Sequence, residues 1–353
     1  MREINLYYNI HNILKIKIRK DLKFDIMRGY DLELSYFRVE KFEDPDIILN
    51  VGKFIPSNDN CYVVDNKYFI KENYFYCYDS SKKIKWEVEI FGIEKGKAII
   101  NYYYQSFGLN GFVSRSNFEI QILRPMIFLK LFEKGYFMTH SGGICSNKNV
   151  ILFPGRGGSF KTSLIMDFLR NAEYSYLGDD WVILQNDTVF SFPAHFSIFN
   201  YIFSSKKGED LSFLDRILFI STFWHPTSRL KNIAITDQGK LKGIVFIERT
   251  TGDTISTKKI SGKEAIEKLI ENNYLELNSK SDTFAGFSLG PFYTYLTAYS
   301  YIFPDSTLSS MWNQWHDNLV SIVNNAACLI LYLPNKYTDD IFQNIKKIVE
   351  GIS

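Results

Sequence analysis

The apolar run at 150–153 (VILF) leads through a proline into Gly155-Arg156-Gly157-Gly158-Ser159-Phe160-Lys161-Thr162, and a helical pattern at 162–170 follows. Few backbones accept that order. A short buried strand must end in a sharply turning loop, and the loop must open a helix. The segment fits the phosphate-binding pattern G-x-x-x-x-G-K-[ST], the Walker A pattern, except that Phe160 stands where the last glycine belongs. Such a loop turns backbone N–H groups around an anion at the positive end of a helix. The lysine reaches the terminal phosphates and the next hydroxyl holds Mg²⁺. Gly155, Gly157, Gly158, Lys161 and Thr162 supply those parts, while Phe160 adds a Cβ where backbone would press against phosphate.

A strand-like run at 174–177 comes next and ends in Gly178-Asp179-Asp180, with Asp179 eighteen residues beyond Lys161. Strand, loop, helix and strand in this order predict an α/β unit that binds its ligand beyond the carboxyl ends of parallel strands. Adjacent carboxylates beside a phosphate loop suit phosphoryl transfer: one holds Mg²⁺ and the other accepts the proton of an attacking hydroxyl. Upstream, His140 closes a run at 136–140, and a small-residue turn of Ser141, Gly142 and Gly143 is expected before the loop strand.

The motifs THSGG with His140, GRGGSFKT, and LGDDWVIL with Asp179 and Asp180 together resemble the catalytic core of the HPr kinase/phosphorylase family, which shares its phosphate loop architecture with phosphoenolpyruvate carboxykinases. The likeness spans about 45 residues, 140–184, and extends loosely through GIVFIERTTGD and ACLILYL. It implies ATP- and Mg²⁺-dependent phosphorylation of a hydroxyl, typically a protein serine. It implies that Lys161 and Thr162 hold nucleotide and metal. The loop pattern itself makes Gly155, Arg156, Gly157, Gly158, Ser159, Phe160, Lys161, Thr162 and Ser163 the expected nucleotide cradle. Arg249, ending IVFIER, reads either as a cationic clamp on the transferring phosphoryl group or as a surface salt bridge. Metal would fall to Thr162, Asp179 and Asp180. The catalytic set would be Asp179, Asp180, His140 and Lys161, with the two aspartates dividing the base and metal roles. Two departures stand out: Phe160, and the stretch SFPAHFSIFNY after the aspartates, which does not resemble the family's partner-recognition segment and so argues against its phosphocarrier protein as substrate.

The expected architecture is α/β: a P-loop kinase core of the HPr kinase/phosphoenolpyruvate carboxykinase type at 116–353, a β-rich N-terminal domain at 1–115, and a mostly helical insertion at about 262–325. Strands are expected at 31–39, 68–78, 85–91, 97–104, 181–184, 244–248 and 328–333. Helices are expected from Asn117 as cap to Gly135, at 262–272 and at 309–324. His195, the FWHPTSR turn (223–229) and the WNQWHD stretch (312–317) read as structural.

Composition closes off other classes. Lys and Arg number 41 against 39 Asp and Glu, a formal +2, which argues against a nucleic-acid-coating protein. Four scattered cysteines without a CxxC pair read as free thiols of a reducing compartment. The N-terminus carries no signal-peptide pattern. The uncharged stretch 283–303 is too rich in Thr, Ser, Tyr and Gly for a membrane span, so a buried or lid-forming element is expected. These features predict a cytoplasmic chain without membrane or nucleic-acid partners; the resemblance implies ATP and a protein or peptide hydroxyl as ligands, with room for homo-oligomerisation. A small-molecule alcohol kinase and a nucleotide-sensing module without transfer are the alternatives. Phe160 is the residue that favours the last of these.

Overall fold

The computed structural model describes residues 3–21, 34–80, 84–106, 110–170, 173–193, 234–278 and 292–352. It divides into two compact units: the described residues up to 134 and those at 292–310 form the first, and 135–193, 234–278 and 311–352 the second. His195, residues 223–229 and residues 283–291 lie outside the described residues.

The first unit is built on a nine-stranded sheet. In chain order its strands are β1 (Glu3–Ile10), β2 (Leu14–Asp21), β3 (Arg38–Val39), β4 (Ile47–Val51), β5 (Tyr62–Val64), β6 (Tyr68–Lys71), β7 (Tyr74–Ser80), β8 (Ile84–Phe91) and β9 (Ala98–Ser106). They lie in the order β3-β1-β2-β4-β9-β8-β7-β6-β5. Strict alternation sets their faces: Leu14, Ile16 and Ile18 are buried, while Lys15 and Lys17 between them point the other way. His11 and Asn12, both at positive φ, make the tight turn that joins β1 to β2.

Helix α1 (Asn110–Glu133) packs on β2, β4 and β9, burying Leu123, Met126, Ile127 and Leu131. It begins seven residues before the expected Asn117 cap, runs on through Pro125, and contains the expected 115/116 boundary. Gly135 follows it at φ 77°, the left-handed conformation that ends a helix. Helix α4 (Phe292–Ile302) takes the later part of the uncharged stretch. Its Tyr299 hydroxyl donates to Glu94 Oε2 at 3.0 Å and accepts from the Asn73 N–H at 2.9 Å, so it packs against the β6–β9 end of this unit. Among the described residues no helix is long and apolar enough to cross a membrane.

The second unit holds an eight-stranded sheet. Its strands are β10 (Phe137–Ser146), β11 (Asn149–Pro154), β12 (Ser175–Gly178), β13 (Trp181–Gln185), β14 (Thr188–Phe190), β15 (Gln238–Arg249), β16 (Ser256–Lys259) and β17 (Ala327–Leu333). β11, β15 and β17 run parallel, and the apolar centres of all three are buried, as expected for strands covered on both faces. β11 also pairs with β10, and the path β11-β10-β13-β14-β15 returns to β11, closing a ring of strands. Helices α2 (Lys161–Leu169), α3 (Gly262–Asn278) and α6 (Asp339–Glu350) complete the unit with the later part of α5 (Thr307–Val323), where Trp315 is buried. Phe168 of α2 meets Phe342 of α6 edge-on at 5.2 Å. The described residues are mixed α/β, with two large sheets and several helices.

Ser141, Gly142 and Gly143 correct one expectation. They form no turn; they continue β10, and the reversal comes at Asn147 and Lys148, both at positive φ. The glycine has a packing role instead. A Cβ on Gly142 would stand 2.1 Å from Ile165 Cδ1, so its absence lets α2 lie close on β10.

Candidate active site

Three parallel strands end side by side. β11 delivers the loop 155–160, β15 delivers Arg249, and β17 leads to Asn335, all at their carboxyl ends. The first turn of α2 presents the N–H groups of Lys161, Thr162 and Ser163, which have no acceptor within the helix, whereas Leu164 already donates to the Phe160 carbonyl at 2.9 Å. β10 and β12 pair antiparallel alongside; Gly178 ends β12 opposite Gly143, and Asp179 and Asp180 form the bend that leads into β13. A Cβ at Gly178 would meet the Trp181 carbonyl oxygen at 2.3 Å.

His140, Lys161, Thr162, Asp179 and Asp180 come together here. Lys161 is buried, and its Nζ donates to the Gly155 carbonyl at 2.7 Å and to His140 Nε2 at 3.1 Å. An ammonium only donates, so with Lys161 charged this contact is a hydrogen bond in the His140 tautomer that carries its proton on Nδ1. Burial lowers the Lys161 pKa; the carboxylates of Asp180, Asp179 and Glu276 work against that and favour the charged form. Thr162 Oγ1 lies 3.5 Å from Asp179 Oδ2, and the Tyr176 hydroxyl donates to Asp179 Oδ1 at 2.9 Å. Asp179 is 5% exposed, and burial, reinforced by the neighbouring Asp180 charge, pushes its carboxyl up to about 8. Asp180 is the open one, with its side chain 61% exposed and Oδ1 4.0 Å from His140 Nε2.

The loop residues divide by direction. Ser159 Oγ is buried without a hydrogen-bond partner among the described residues, an orphaned group that a phosphate oxygen would satisfy. Gly157 faces open space, and Gly158 sits at φ 79°. Ser163 is half-buried in the first turn of α2. Arg156 reaches sideways, its Nη1 3.2 Å from Glu276 Oε2 and 3.4 Å from the Asn272 carbonyl. Arg249 props the loop: Nη1 donates to the Gly158 carbonyl at 2.8 Å, and Nη2 donates to Asn335. Hard oxygen donors at Thr162 and Asp179 suit Mg²⁺, which takes one or two carboxylates and completes its shell with water and phosphate. Among the described residues no group of three His, Cys, Asp or Glu is arranged to hold a metal ion by itself.

Phe160 takes the backbone a glycine would take. Its φ is 69° and ψ 11°, left-handed, at the N-cap of α2. That conformation costs a residue with a Cβ about 1 kcal/mol. The ring turns to the Arg249 guanidinium, 4.4 Å from its centroid, and to Tyr337 at 5.5 Å, contacts of similar size. Phe160→Gly is therefore expected to change stability by less than about 1 kcal/mol, since lost contacts offset relieved strain. Phe160→Leu keeps the strain and loses the ring contacts, at about 1–2 kcal/mol. Urea midpoints of the two variants separate them; equal losses would contradict this account.

Sequence reasoning missed the contribution of α3. Asn272 and Asn273 are buried while Leu275 is exposed, the reverse of ordinary helix patterning. Both amides serve the edge of β10. Asn273 Oδ1 accepts from the His140 N–H at 2.7 Å and from Thr139 Oγ1 at 3.2 Å; its Nδ2 donates to the Met138 carbonyl at 2.9 Å. Asn272 Nδ2 donates to the His140 carbonyl at 2.7 Å. β11 pairs with β10 only from Ser141 onward, so the asparagines satisfy backbone groups at 138–140 that this neighbour leaves open. Asn273→Ala is expected to cost about 2–4 kcal/mol by orphaning buried donors and acceptors, read as a lowered urea midpoint. The signal available in sequence was the pair itself, two adjacent amides inside a helical pattern.

No protein-family model matches this chain, and no curated protein matches it either.

Proposed function

We propose that the protein is an ATP- and Mg²⁺-dependent kinase that transfers the γ-phosphoryl group to a hydroxyl, a serine or threonine of a protein or peptide, and that its second unit is a P-loop core of the HPr kinase/phosphoenolpyruvate carboxykinase type. The observation that carries the reading is the meeting of Lys161, His140, Thr162 and the aspartate pair at the glycine loop, at the mouth of three parallel strands. A pure nucleotide binder has no use for a second carboxylate in that position.

The chain's own groups divide the work as follows. The loop N–H groups and Ser159 Oγ bind phosphate oxygens, and Lys161 places a positive charge where charge builds on the transferring group. Thr162 and Asp179 would hold Mg²⁺, which supplies further charge neutralisation when bound. Asp180, the exposed carboxylate, accepts the proton of the incoming hydroxyl, and His140 beside it fixes the direction of Lys161. Arg249 acts on the loop through Gly158 rather than reaching past it. Four free cysteines accord with a cytoplasmic place for this reaction.

The test is transfer from γ-labelled ATP with Mg²⁺ into a lysate of the native source. A labelled protein or peptide supports the reading. Label in a small metabolite would make the chain an alcohol kinase, and ATP binding without transfer would make it a sensing module.

A further inference from the structure

We propose that Glu276, on the helix α3, is a positioning residue for the transfer reaction: it holds the His140 ring and the Arg156 guanidinium together, so that His140 keeps Lys161 aimed into the phosphate loop. The proposal rests on the kinase reading above.

The geometry is a chain of contacts through one carboxylate oxygen. Glu276 Oε2 lies 3.8 Å from His140 Nδ1, beyond hydrogen-bond length and within electrostatic reach, and 3.2 Å from Arg156 Nη1. On the far side of the ring, Nε2 faces Lys161 Nζ at 3.1 Å, and that Nζ is 2.7 Å from the Gly155 carbonyl. Glu276 therefore sits behind the histidine on the side away from the lysine. A carboxylate there favours the proton on Nδ1 and leaves the Nε2 lone pair for the ammonium. The Trp181 ring packs on His140 at 5.4 Å and Lys161 holds Nε2, while Glu276 adds a preference for the orientation that keeps nitrogen, not carbon, facing Lys161.

The placement is built into α3. Asn272 and Glu276 are four apart and share a helix face, and Asn273 lies three before Glu276. The same turn that carries the carboxylate also fixes the β10 backbone at His140, through Asn272 Nδ2 and Asn273 Oδ1. Backbone and ring of His140 are thus both held from one helix. Arg156 ties the second residue of the loop to the same helix through Glu276 and the Asn272 carbonyl. The side chain of Glu276 is 30% exposed, so it faces the site without being sealed from it.

The test compares Glu276→Ala and Glu276→Gln with the wild type in two measurements. The first is steady-state transfer, separated into kcat and KM for ATP. The second is the ring ¹⁵N spectrum of His140, assigned with a His140→Gln variant. Glu276→Ala is expected to lower kcat at least tenfold with KM for ATP within threefold, and to replace the single Nδ1–H signal set of His140 by a mixture. Glu276→Gln keeps an oxygen for Nδ1–H and Arg156, so it is expected to recover most of the kcat and the single signal set. A helix brace without a positioning role would lower the unfolding midpoint and leave the His140 signals alone. A kcat for Glu276→Ala within twofold of wild type, or an unchanged His140 spectrum, overturns the proposal. Should the wild type transfer no phosphate, the kinase reading falls, and the spectrum alone then decides whether Glu276 holds the ring.

Discussion

Replacing Lys161 by Ala is expected to lower phosphoryl transfer by roughly 10³-fold or more, the scale seen when a preorganised charge is removed from a transferring phosphoryl group. The effect reaches beyond the lost charge. Lys161 is a buried cation whose Nζ is satisfied by the Gly155 carbonyl and His140 Nε2, so truncation also leaves the loop without its internal tie and the histidine without its donor. Lys161→Met fills most of the same volume and isolates the charge. Both variants should also lose the rise in unfolding temperature that Mg²⁺·ATP gives the wild type, about 2.7 kcal/mol of stabilisation at a hundredfold excess over Kd. Transfer by Lys161→Met within tenfold of wild type would remove this lysine, and with it the phosphate-loop reading, from the mechanism.

The site was more legible than the scaffold around it. The loop, the aspartate pair and His140 announce themselves because phosphate chemistry needs particular residues at fixed spacing, and 140, 161, 162, 179 and 180 do meet. The first two strands were harder to see. LKIKIRK alternates buried Leu14, Ile16 and Ile18 with lysines, and a reading alert to signal peptides sees only charges breaking up an apolar run. The glycines at 142 and 143 suggested a turn because glycine is the usual turn residue. At Gly142 the need is close approach of Ile165 from α2, a contact between segments that no local pattern displays. Glu276 was hidden for a similar reason: it lies 136 positions from its histidine partner, and only the docking of α3 on β10 joins them. Phe160 misled in the opposite direction. A sequence pattern records that glycine is usual there, but the backbone needs only the left-handed conformation, and ring contacts with Arg249 and Tyr337 offset its cost.

Asp179→Asn is expected to lower transfer by roughly 10³-fold while leaving nucleotide affinity within severalfold, since the amide keeps the shape and loses the charge that Mg²⁺ requires. The same substitution has a consequence for stability that needs no substrate. The Asp179 carboxyl is pushed up to about 8 in the folded chain, by burial and then by Asp180, from an ordinary value of 3.8. Between those values the folded protein binds one more proton at this site than the unfolded chain. Stability contributed here is therefore fully present at about pH 4 and falls as pH rises, by up to about 1.4 kcal/mol per pH unit, until the loss is complete above about pH 8. Asparagine, which resembles the protonated acid, does not titrate. Asp179→Asn should thus match the wild type near pH 4 and exceed it in stability by pH 8–9, with the gap widening steadily in urea titrations across the range. Loading the wild type with Mg²⁺ and nucleotide at pH 7 should expel about one proton, and loading the variant none, a difference read by calorimetry in two buffers of unlike ionisation enthalpy. Parallel pH–stability curves for the two proteins would mean that Asp179 is ionised in the folded chain at neutral pH. In that case the buried, neutral member of the aspartate pair would not exist, and the division of roles between Asp179 and Asp180 would have to be redrawn.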